Sequence, residues 1–200
     1  AQDLKYFNAT WTTWEGHTVL LSRTGYTGEL GYEIFVPNDL AVPLWNRFLE
    51  MDDVELAGLG ARDTLRTEVG YNLSGQDFNE SISPLEASME SFVAWDQDFV
   101  GSEAVKARKS AGDYRVQVAV ASPDRRAPRH DFEVYDGDSV VGIVTSGTFG
   151  PSVGHGVGLA RVDARCASIG TKLTAGPRGL PLTVVEVPFY TEGTCRIKVG

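Results

Sequence analysis

A glycine-rich stretch near the start of the chain, SRTGYTGELGYE, carries side chains that could hold a small ligand. Its last residue, Glu33, has a carboxylate that can accept two parallel hydrogen bonds from a flat heterocycle with adjacent N–H donors. Arg62, at the start of a predicted helix, suits an anionic group because its guanidinium fork and the helix dipole act together. A ring face could come from any of three tyrosines near these elements: Tyr26, Tyr32 and Tyr71. Equally, Glu33 and Arg62 could pair with each other or with surface neighbours, and the residues alone leave both interpretations open.

The glycines of this stretch do not follow a phosphate-binding pattern. Gly25, Gly28 and Gly31 form GxxGxxG rather than GxGxxG, and the stretch lies between two predicted strands instead of opening a helix. A P-loop needs a Lys-Ser/Thr pair after its last glycine, and neither this stretch nor GPSVGHGVG has one. A purely structural interpretation also stands, in which the glycines permit positive φ in a bulged hairpin and the tyrosines pack.

The sequence contains no recognisable motif for a metal site or a catalytic nucleophile. His17, His130 and His155 lie far apart and have no HxxxH or CxxC companion, so we expect no metal site. Cys166 and Cys195 are too few for a disulfide framework, which favours a reducing compartment. There is no GxSxG elbow, and neither cysteine has the local setting of a catalytic thiol.

Composition and charge are those of an ordinary globular protein. The 200 residues are 42% hydrophobic and 22% charged, which argues against disorder and fibrous repeats. A net charge of -9 works against binding phosphate backbones, and the compact basic run DRRAPRH is interpreted as a solvated loop. No run of 18 apolar residues occurs, and the N-terminus lacks the regions of a signal peptide. We therefore expect a cytoplasmic protein that binds neither nucleic acid nor membranes.

The first part of the chain predicts a mixture of strands and helices. HTVLLS and GYEIFV are strand-like runs on either side of the glycine stretch. Four helices are predicted: one in NDLAVPLWNRFLEM behind an Asn/Asp cap, one in ARDTLRTEV with Gly70 as its end, one in SPLEASM with a capping box, and one in EAVKARKS stopped by Gly112. In the second helix, Ala61, Leu65 and Val69 fall on one face.

The remainder of the chain has the pattern of an all-β domain. Six alternating segments of five to nine residues, separated by Gly, Pro and Asp, run from YRVQVAVAS to LPLTVVEVP. This spacing predicts a small β-barrel or sandwich, and YDGDS predicts a hairpin through Asp136-Gly137. We place the boundary near residue 112, with an α+β domain over residues 1–112 and a β-barrel domain over 113–200.

Four blocks of the sequence, in order, resemble a known family. They are SRTGYTGELGYEIFVP, LAGLGARDTLRTEVGYNLSGQDFNESISPLEASM, DFVGSEAVKARK and GIVTSGTFGPSVGHGVGLARV. Together they closely resemble the aminomethyltransferase (T protein) of the glycine cleavage system and its folate-dependent relatives. The resemblance implies an α+β fold in which a partial folate-binding α/β domain precedes a C-terminal antiparallel β-barrel. It also implies tetrahydrofolate as a ligand, since T proteins take an aminomethyl group from the lipoyl arm of H protein, release ammonia and leave 5,10-methylenetetrahydrofolate.

The folate-binding residues of that family carry over onto three positions. The glutamate of the GYTGExGxE block, which holds the pteridine, falls on Glu33, and the folate-binding arginine of GLGARD falls on Arg62. Tyr71, in EVGY, matches a position that is tyrosine in some members and lines the folate pocket. The resemblance therefore implies a folate site formed by Glu33, Arg62 and Tyr71.

Two departures from the family pattern bear on activity. Many members have a folate-contacting tyrosine in a tail PFxxxxYY, whereas this chain has PFYTEGTCRIK with Thr194 and Cys195 in that register, so either Tyr190 substitutes or the contact is absent. The family's catalytic aspartate lies in an N-terminal region that has no counterpart here, and Glu29, Asp63 and Glu68 do not match its motif. We expect no catalytic residue in this chain, and no transferase activity without that region.

Several functions and partners follow from the resemblance. The leading hypothesis is a tetrahydrofolate-dependent aminomethyl transferase of the glycine cleavage system, with folate and lipoylated H protein as partners. The alternatives are a non-catalytic folate-binding or assembly module and a folate-dependent demethylase relative. A separate N-terminal chain or a second copy could complete the first domain, whose sheet is expected to have exposed edges. The motif TGYTGE favours the T proteins.

Overall fold

The computed structural model describes residues 4–197 and confirms an α+β fold with a C-terminal antiparallel barrel. By its internal contacts the chain divides into two compact units. The first contains the residues up to Leu65 and those from Glu192 onward, and the second contains Arg66–Thr191. The predicted domain boundary near residue 112 stays a prediction.

The first unit contains a three-stranded antiparallel sheet. Its strands are β1 (Ala9–Trp14), β2 (His17–Ser22) and β3 (Glu33–Phe35), in that spatial order. Strand β2 coincides with the predicted HTVLLS, whereas β3 is shorter than predicted because only three of its residues pair with β2. Strand β1 was not predicted, since ATWTTW is exposed along most of its length and has no apolar alternation. It joins β2 through Glu15 and Gly16, both at positive φ, which is typical of a two-residue hairpin turn.

Two of the predicted helices follow the sheet. Helix α1 (Asn38–Leu49) has Pro37 at its N-cap position, so the predicted Asn/Asp cap is wrong: the extended ψ of Pro37 lets its carbonyl accept the Leu40 N–H. Helix α2 (Leu59–Glu68) ends as predicted at Gly70, which has a φ of +76°, and the Tyr71 N–H returns to the Arg66 carbonyl.

The burial of α2 differs from its apolar pattern. Its buried side chains are Arg66, Thr67 and Glu68, all in the last turn, whereas Ala61 is exposed. The structure therefore does not bury the predicted apolar face. The polar side chains of the last turn can be buried because Arg66 and Glu68 have partners that satisfy their charge and hydrogen bonds.

The predicted third helix, in SPLEASM, is wrong. The capping box does form: the Ser83 N–H and hydroxyl donate to the Glu86 carboxylate at 3.1 and 3.0 Å. Only one turn follows, however, because Ser88 has a left-handed φ of 53° and its hydroxyl donates to the Gln117 carbonyl. The Gln117 N–H in turn donates to the Glu86 carbonyl, so a β-strand takes the hydrogen bonds that a helix would have used. A short 3-10 turn at Glu90–Phe92 comes next.

Helix α3 (Ser102–Ala111) and a closed barrel complete the second unit. Gly112 caps α3 at a φ of 66°, as predicted. The barrel strands are β4 (Val116–Ala121), β5 (Glu133–Asp136), β6 (Ser139–Gly150), β7 (His155–Val162), β8 (Lys172–Ala175) and β9 (Leu180–Val185). Their order is β4-β7-β6-β5-β8-β9, and β4 pairs with both β7 and β9, which closes the ring. The predicted hairpin after Asp136 joins β5 to β6.

The interior of the barrel is a single apolar core. Strands β7, β8 and β9 each contribute residues two positions apart to this core, which is the period at which side chains of a strand share one face. The fully buried side chains are small and branched for the most part: Val120, Val134, Val141, Val144, Val162, Leu182 and Val184. The barrel interior is therefore filled by one continuous cluster of apolar side chains.

Candidate functional site

The carboxylate of Glu33 lies at the start of β3 and is oriented by two hydroxyl groups. Glu33 pairs with Ser22 across the sheet. The Thr24 hydroxyl donates a short hydrogen bond to Glu33 Oε2, and the Ser22 hydroxyl lies 2.8 Å from Thr24 Oγ1. Because Thr24 has a single hydroxyl proton, Ser22 must be the donor in the second bond. The Glu33 side chain is exposed, so its carboxylate can accept further hydrogen bonds from a ligand.

Arg62 and Tyr26 form a second contact within the same unit. The guanidinium carbon of Arg62, in the first turn of α2, lies 4.3 Å from the centre of the Tyr26 ring. Both side chains are accessible, and a cation–π contact at an exposed site contributes about 0.5–1 kcal/mol. The N–H donors of a guanidinium point outward in its own plane, so contact with a ring face does not use them. Tyr26, one of the three tyrosines predicted to supply a ring face, thus contacts Arg62.

Tyr71 belongs to the second unit. It is half-buried directly after α2, where its backbone carbonyl accepts a hydrogen bond from Arg66 Nη1 at 3.2 Å. Its assignment to a folate site therefore still depends on the resemblance alone.

A buried ion pair next to Tyr71 was not anticipated from the sequence. Arg66 Nη1 lies 3.0 Å from Asp77 Oδ2, and both side chains are almost fully buried. Asp77 also accepts hydrogen bonds from the Thr145 and Ser146 hydroxyls and from the Leu73 N–H. These bonds connect the end of α2 to strand β6, and nothing in the local sequence pairs residues that lie 68 or more positions apart.

Two of the carboxylates that fail to match the catalytic motif have structural partners. Glu68 accepts hydrogen bonds from the N–H and the hydroxyl of Ser152, each at 2.7 Å. Glu29 accepts hydrogen bonds from the Thr194 hydroxyl and, at 3.2 Å, from the Thr194 N–H. Each of the two carboxylates thus accepts hydrogen bonds from a residue of its own compact unit.

The structure also places the tail residues that depart from the family pattern. The Tyr190 N–H donates to the Glu68 carbonyl at 2.9 Å, within the second unit. Thr194 and Cys195 lie in the first unit, where Cys195 N–H donates to the Gly28 carbonyl at 3.1 Å. The register of the usual tyrosine is therefore occupied by residues that contact the glycine-rich stretch.

The arrangement of the His, Cys, Asp and Glu side chains is known for residues 4–197. No group of three or more His, Cys, Asp or Glu side chains in residues 4–197 could hold a metal ion. Both cysteines are free, and burial raises the pKa of the Cys166 thiol above its usual value. Within the same part of the chain, no helix has the length and hydropathy needed to cross a membrane.

Comparisons with known proteins point to one family. Residues 1–97 match the model of the GCVT N-terminal domain, and residues 115–191 match the glycine cleavage T-protein C-terminal barrel domain. The chain is 42% identical to an aminomethyltransferase of Halothermothrix orenii over 192 residues, which is 93% of this chain and 54% of that protein. It is 40% identical to an aminomethyltransferase of Cutibacterium acnes over 195 residues, 94% of this chain and 52% of that one.

A solved structure gives the same result. The crystal structure of glycine cleavage system aminomethyltransferase T from Bartonella henselae matches 97% of this chain and 55% of its own length, with a TM-score of 0.89 and 30% identity. The chain spans about half the length of the curated relatives it matches. Its two domain matches, its barrel topology and these relatives together show that the chain belongs to the glycine cleavage T-protein family.

Proposed function

We propose that this chain binds tetrahydrofolate as part of an aminomethyl transferase of the glycine cleavage system, with Glu33 and Arg62 as the folate anchors. The observation that supports this most directly is the exposed Glu33 carboxylate, oriented by Thr24 at the edge of the glycine-rich stretch. A carboxylate in this setting suits the adjacent N–H donors of a pteridine ring. The name aminomethyltransferase, shared by the relatives above, favours the aminomethyl reaction over demethylation.

The residues present fit the chemistry of such a ligand. Glu33 would accept hydrogen bonds from the pteridine, and the cation of Arg62 would pair with an anionic part of the folate. Tyr26 holds the Arg62 guanidinium, and Tyr71 is proposed as a flanking ring from the resemblance. When bound, tetrahydrofolate supplies the nitrogen that accepts the one-carbon unit. We assign no proton transfer to a side chain of this chain, because Glu29 and Glu68 already have structural hydrogen bonds.

A titration of the protein with tetrahydrofolate tests the assignment. Glu33→Ala should weaken binding by about 2–4 kcal/mol, because it removes charge-assisted hydrogen bonds to the ligand. Glu50→Ala is a matched control in the same unit, since Glu50 is an exposed carboxylate whose ion-pair partner is Arg47. Arg62→Ala and Tyr71→Ala then report the other two positions separately. Equal affinities of the parent and Glu33→Ala, or no binding by the parent chain, would overturn the proposal.

A second candidate, a non-catalytic folate-binding module, is favoured by the structural engagement of Glu29 and Glu68. Both candidates bind tetrahydrofolate, but only the enzyme transfers an aminomethyl group. Aminomethyl transfer from lipoylated H protein to tetrahydrofolate, measured as ammonia release by this chain alone, supports the enzyme. Tetrahydrofolate binding without ammonia release supports the module.

A further inference from the structure

The last described residues of the chain return to the first unit and contact the glycine-rich stretch. We call residues 192–197 the C-terminal strap and residues 23–31 the glycine loop. Both belong to the same compact unit, although more than 160 positions separate them in sequence. From the residues alone the glycine loop suits either a ligand site or a bulged hairpin, and the family resemblance places Thr194 and Cys195 of the strap in the register of a folate-contacting tyrosine.

Thr194 is the centre of the contact between the two segments. Its hydroxyl accepts a hydrogen bond from the Leu30 N–H at 2.8 Å and donates a short one to the Glu29 carboxylate. Its own N–H donates to the same carboxylate at 3.2 Å, and the following N–H, that of Cys195, donates to the Gly28 carbonyl at 3.1 Å. Three successive residues of the loop are therefore tied to two successive residues of the strap.

The fit between the segments is close. A Cβ at Gly193 would lie 2.6 Å from the Gly28 carbonyl oxygen, closer than real contacts allow. Gly28 is itself buried and has a φ of +77°, a conformation that side-chain-bearing residues rarely adopt. The glycines at these two positions are thus explained by the approach of the strap to the loop.

Arg23 connects the other end of the loop to the strap. Its side chain is only 4% exposed, and its guanidinium donates to the Leu4 carbonyl at 3.0 Å, to the Cys195 carbonyl at 3.4 Å and, in a short bond, to the Ile197 carbonyl. A buried cation needs such acceptors, because a guanidinium taken out of water is strongly destabilising without them. The next residue along the chain is Thr24, whose hydroxyl orients Glu33.

We propose that the C-terminal strap positions the glycine loop, and through Thr24 the Glu33 carboxylate, with Thr194 and Arg23 as positioning residues. Neither is assigned a contact with a ligand. The strap holds both ends of the loop, Arg23 at one and Glu29 and Leu30 at the other, so the backbone that presents Thr24 has little freedom. The consequence for folate binding rests on the proposed function, whereas the effect on the loop does not.

Amide hydrogen exchange without any ligand tests the positioning role directly. Thr194→Val keeps the shape of the side chain but removes the acceptor of the Leu30 N–H and the donor to Glu29. Exchange of the Leu30 amide and its loop neighbours should become roughly two- to tenfold faster, the range expected when the Leu30 N–H loses its one acceptor. Barrel amides should keep their protection. Thr191→Val, an exposed threonine just before the strap, is the matched control and should leave the loop unchanged.

Two further variants keep the test decisive. Thr194→Ser retains the hydroxyl and should restore slow exchange, which a purely steric effect would not do. Glu29→Ala breaks the same contact from the loop side, and should speed exchange of the Thr194 and Cys195 amides. Unchanged exchange in the loop for both Thr194→Val and Glu29→Ala would overturn the strap, as would Thr194→Val losing protection throughout the chain while Glu29→Ala leaves the loop unaffected.

Tetrahydrofolate titration of the same variants separates the strap from the proposed function. If both hold, Thr194→Val weakens binding by a smaller factor than Glu33→Ala, and Thr194→Ser binds like the parent. If Thr194→Val exchanges faster in the loop than the parent, and the parent binds no tetrahydrofolate, the strap stands and the folate assignment alone is overturned. Tight folate binding with unchanged loop exchange in both contact variants would do the reverse.

Discussion

The two compact units bury their side chains in opposite ways. The barrel in the second unit encloses a continuous apolar core of valines and leucines. In the described part of the first unit, the buried hydrophobic side chains are Val19 and Leu40, and the buried polar ones are Ser22 and Arg23. Trp45 and Leu59 remain 56% and 84% exposed. Trp45, Phe48, Leu49 and Leu56 line a shallow apolar groove of about 220 Å³.

This difference indicates what stabilises each unit. Burial of apolar area is the main favourable term in folding, and the barrel obtains it from its own strands. The first unit relies more on specific hydrogen bonds, such as those of Arg23 and Thr194 with backbone groups. A net hydrogen bond contributes only about 0.5–1.5 kcal/mol, so we expect the first unit to open more readily than the barrel. The candidate anchors Glu33 and Arg62 both lie in this less apolar unit.

The largest contrast should come from two ion pairs, one buried and one exposed. Asp77→Ala removes the carboxylate that neutralises the buried Arg66, and should lower the free energy of unfolding by about 3–5 kcal/mol. Glu50→Ala breaks the exposed pair with Arg47 in the first unit and should cost about 0–1 kcal/mol. Urea denaturation measures both. Similar values for the two variants would contradict the contrast between the units.

Truncation of apolar side chains should give the next largest effect. Leu182→Ala, in the core of the barrel, should cost about 2–5 kcal/mol because it leaves a cavity among tightly packed neighbours. Val42→Ala, on an exposed part of α1, should change stability by less than about 0.5 kcal/mol. A large loss for Val42→Ala would show that α1 is covered by apolar contacts in solution.

Replacing a glycine by alanine should change stability in opposite directions in the two units. A Cβ at Gly156, in β7, would lie 2.1 Å from the Arg126 carbonyl oxygen, so Gly156→Ala should destabilise by about 1–3 kcal/mol through a backbone shift. A Cβ at Gly60, in α2, meets no atom within 4 Å. Gly60→Ala should therefore stabilise by up to about 1 kcal/mol, since alanine favours the helix. Thermal unfolding of both variants checks this, and a stabilising Gly156→Ala would contradict it.

The smallest expected effect is a difference in labelling rate between the two cysteines, one in each unit. Burial raises the pKa of the Cys166 thiol, so its reactive thiolate is depleted near neutral pH, whereas Cys195 is partly accessible. Cys195 should therefore react with iodoacetamide faster than Cys166 near neutral pH, because the thiolate is the nucleophile and a raised pKa lowers the thiolate fraction of Cys166. Raising the pH towards the Cys166 pKa should reduce the difference between the two labelling rates. Mass spectrometry of the labelled peptides follows the rates, and faster labelling of Cys166 would sink the assignment.

Much of the fold follows from local pattern. The apolar spacing in α1, the glycine that ends α2 and the glycine that ends α3 are short-range signals, and each helix forms where they predict. The barrel strands are also recognisable, because turn residues punctuate alternating segments. By contrast, β1 has no apolar face, and the single turn after Ser83 is halted by bonds to a strand, so neither was visible in a short window.

The sequence by itself determined the family, the α+β class with its barrel, and the positions proposed as folate anchors, because family motifs and apolar periodicity lie along continuous stretches of the chain. Only the tertiary structure decided which groups orient them: Thr24 on Glu33, Tyr26 on Arg62, and the strap on the glycine loop. The physical reason is that a hydrogen bond depends on distance and angle in space, and two residues 164 positions apart carry no shared local pattern.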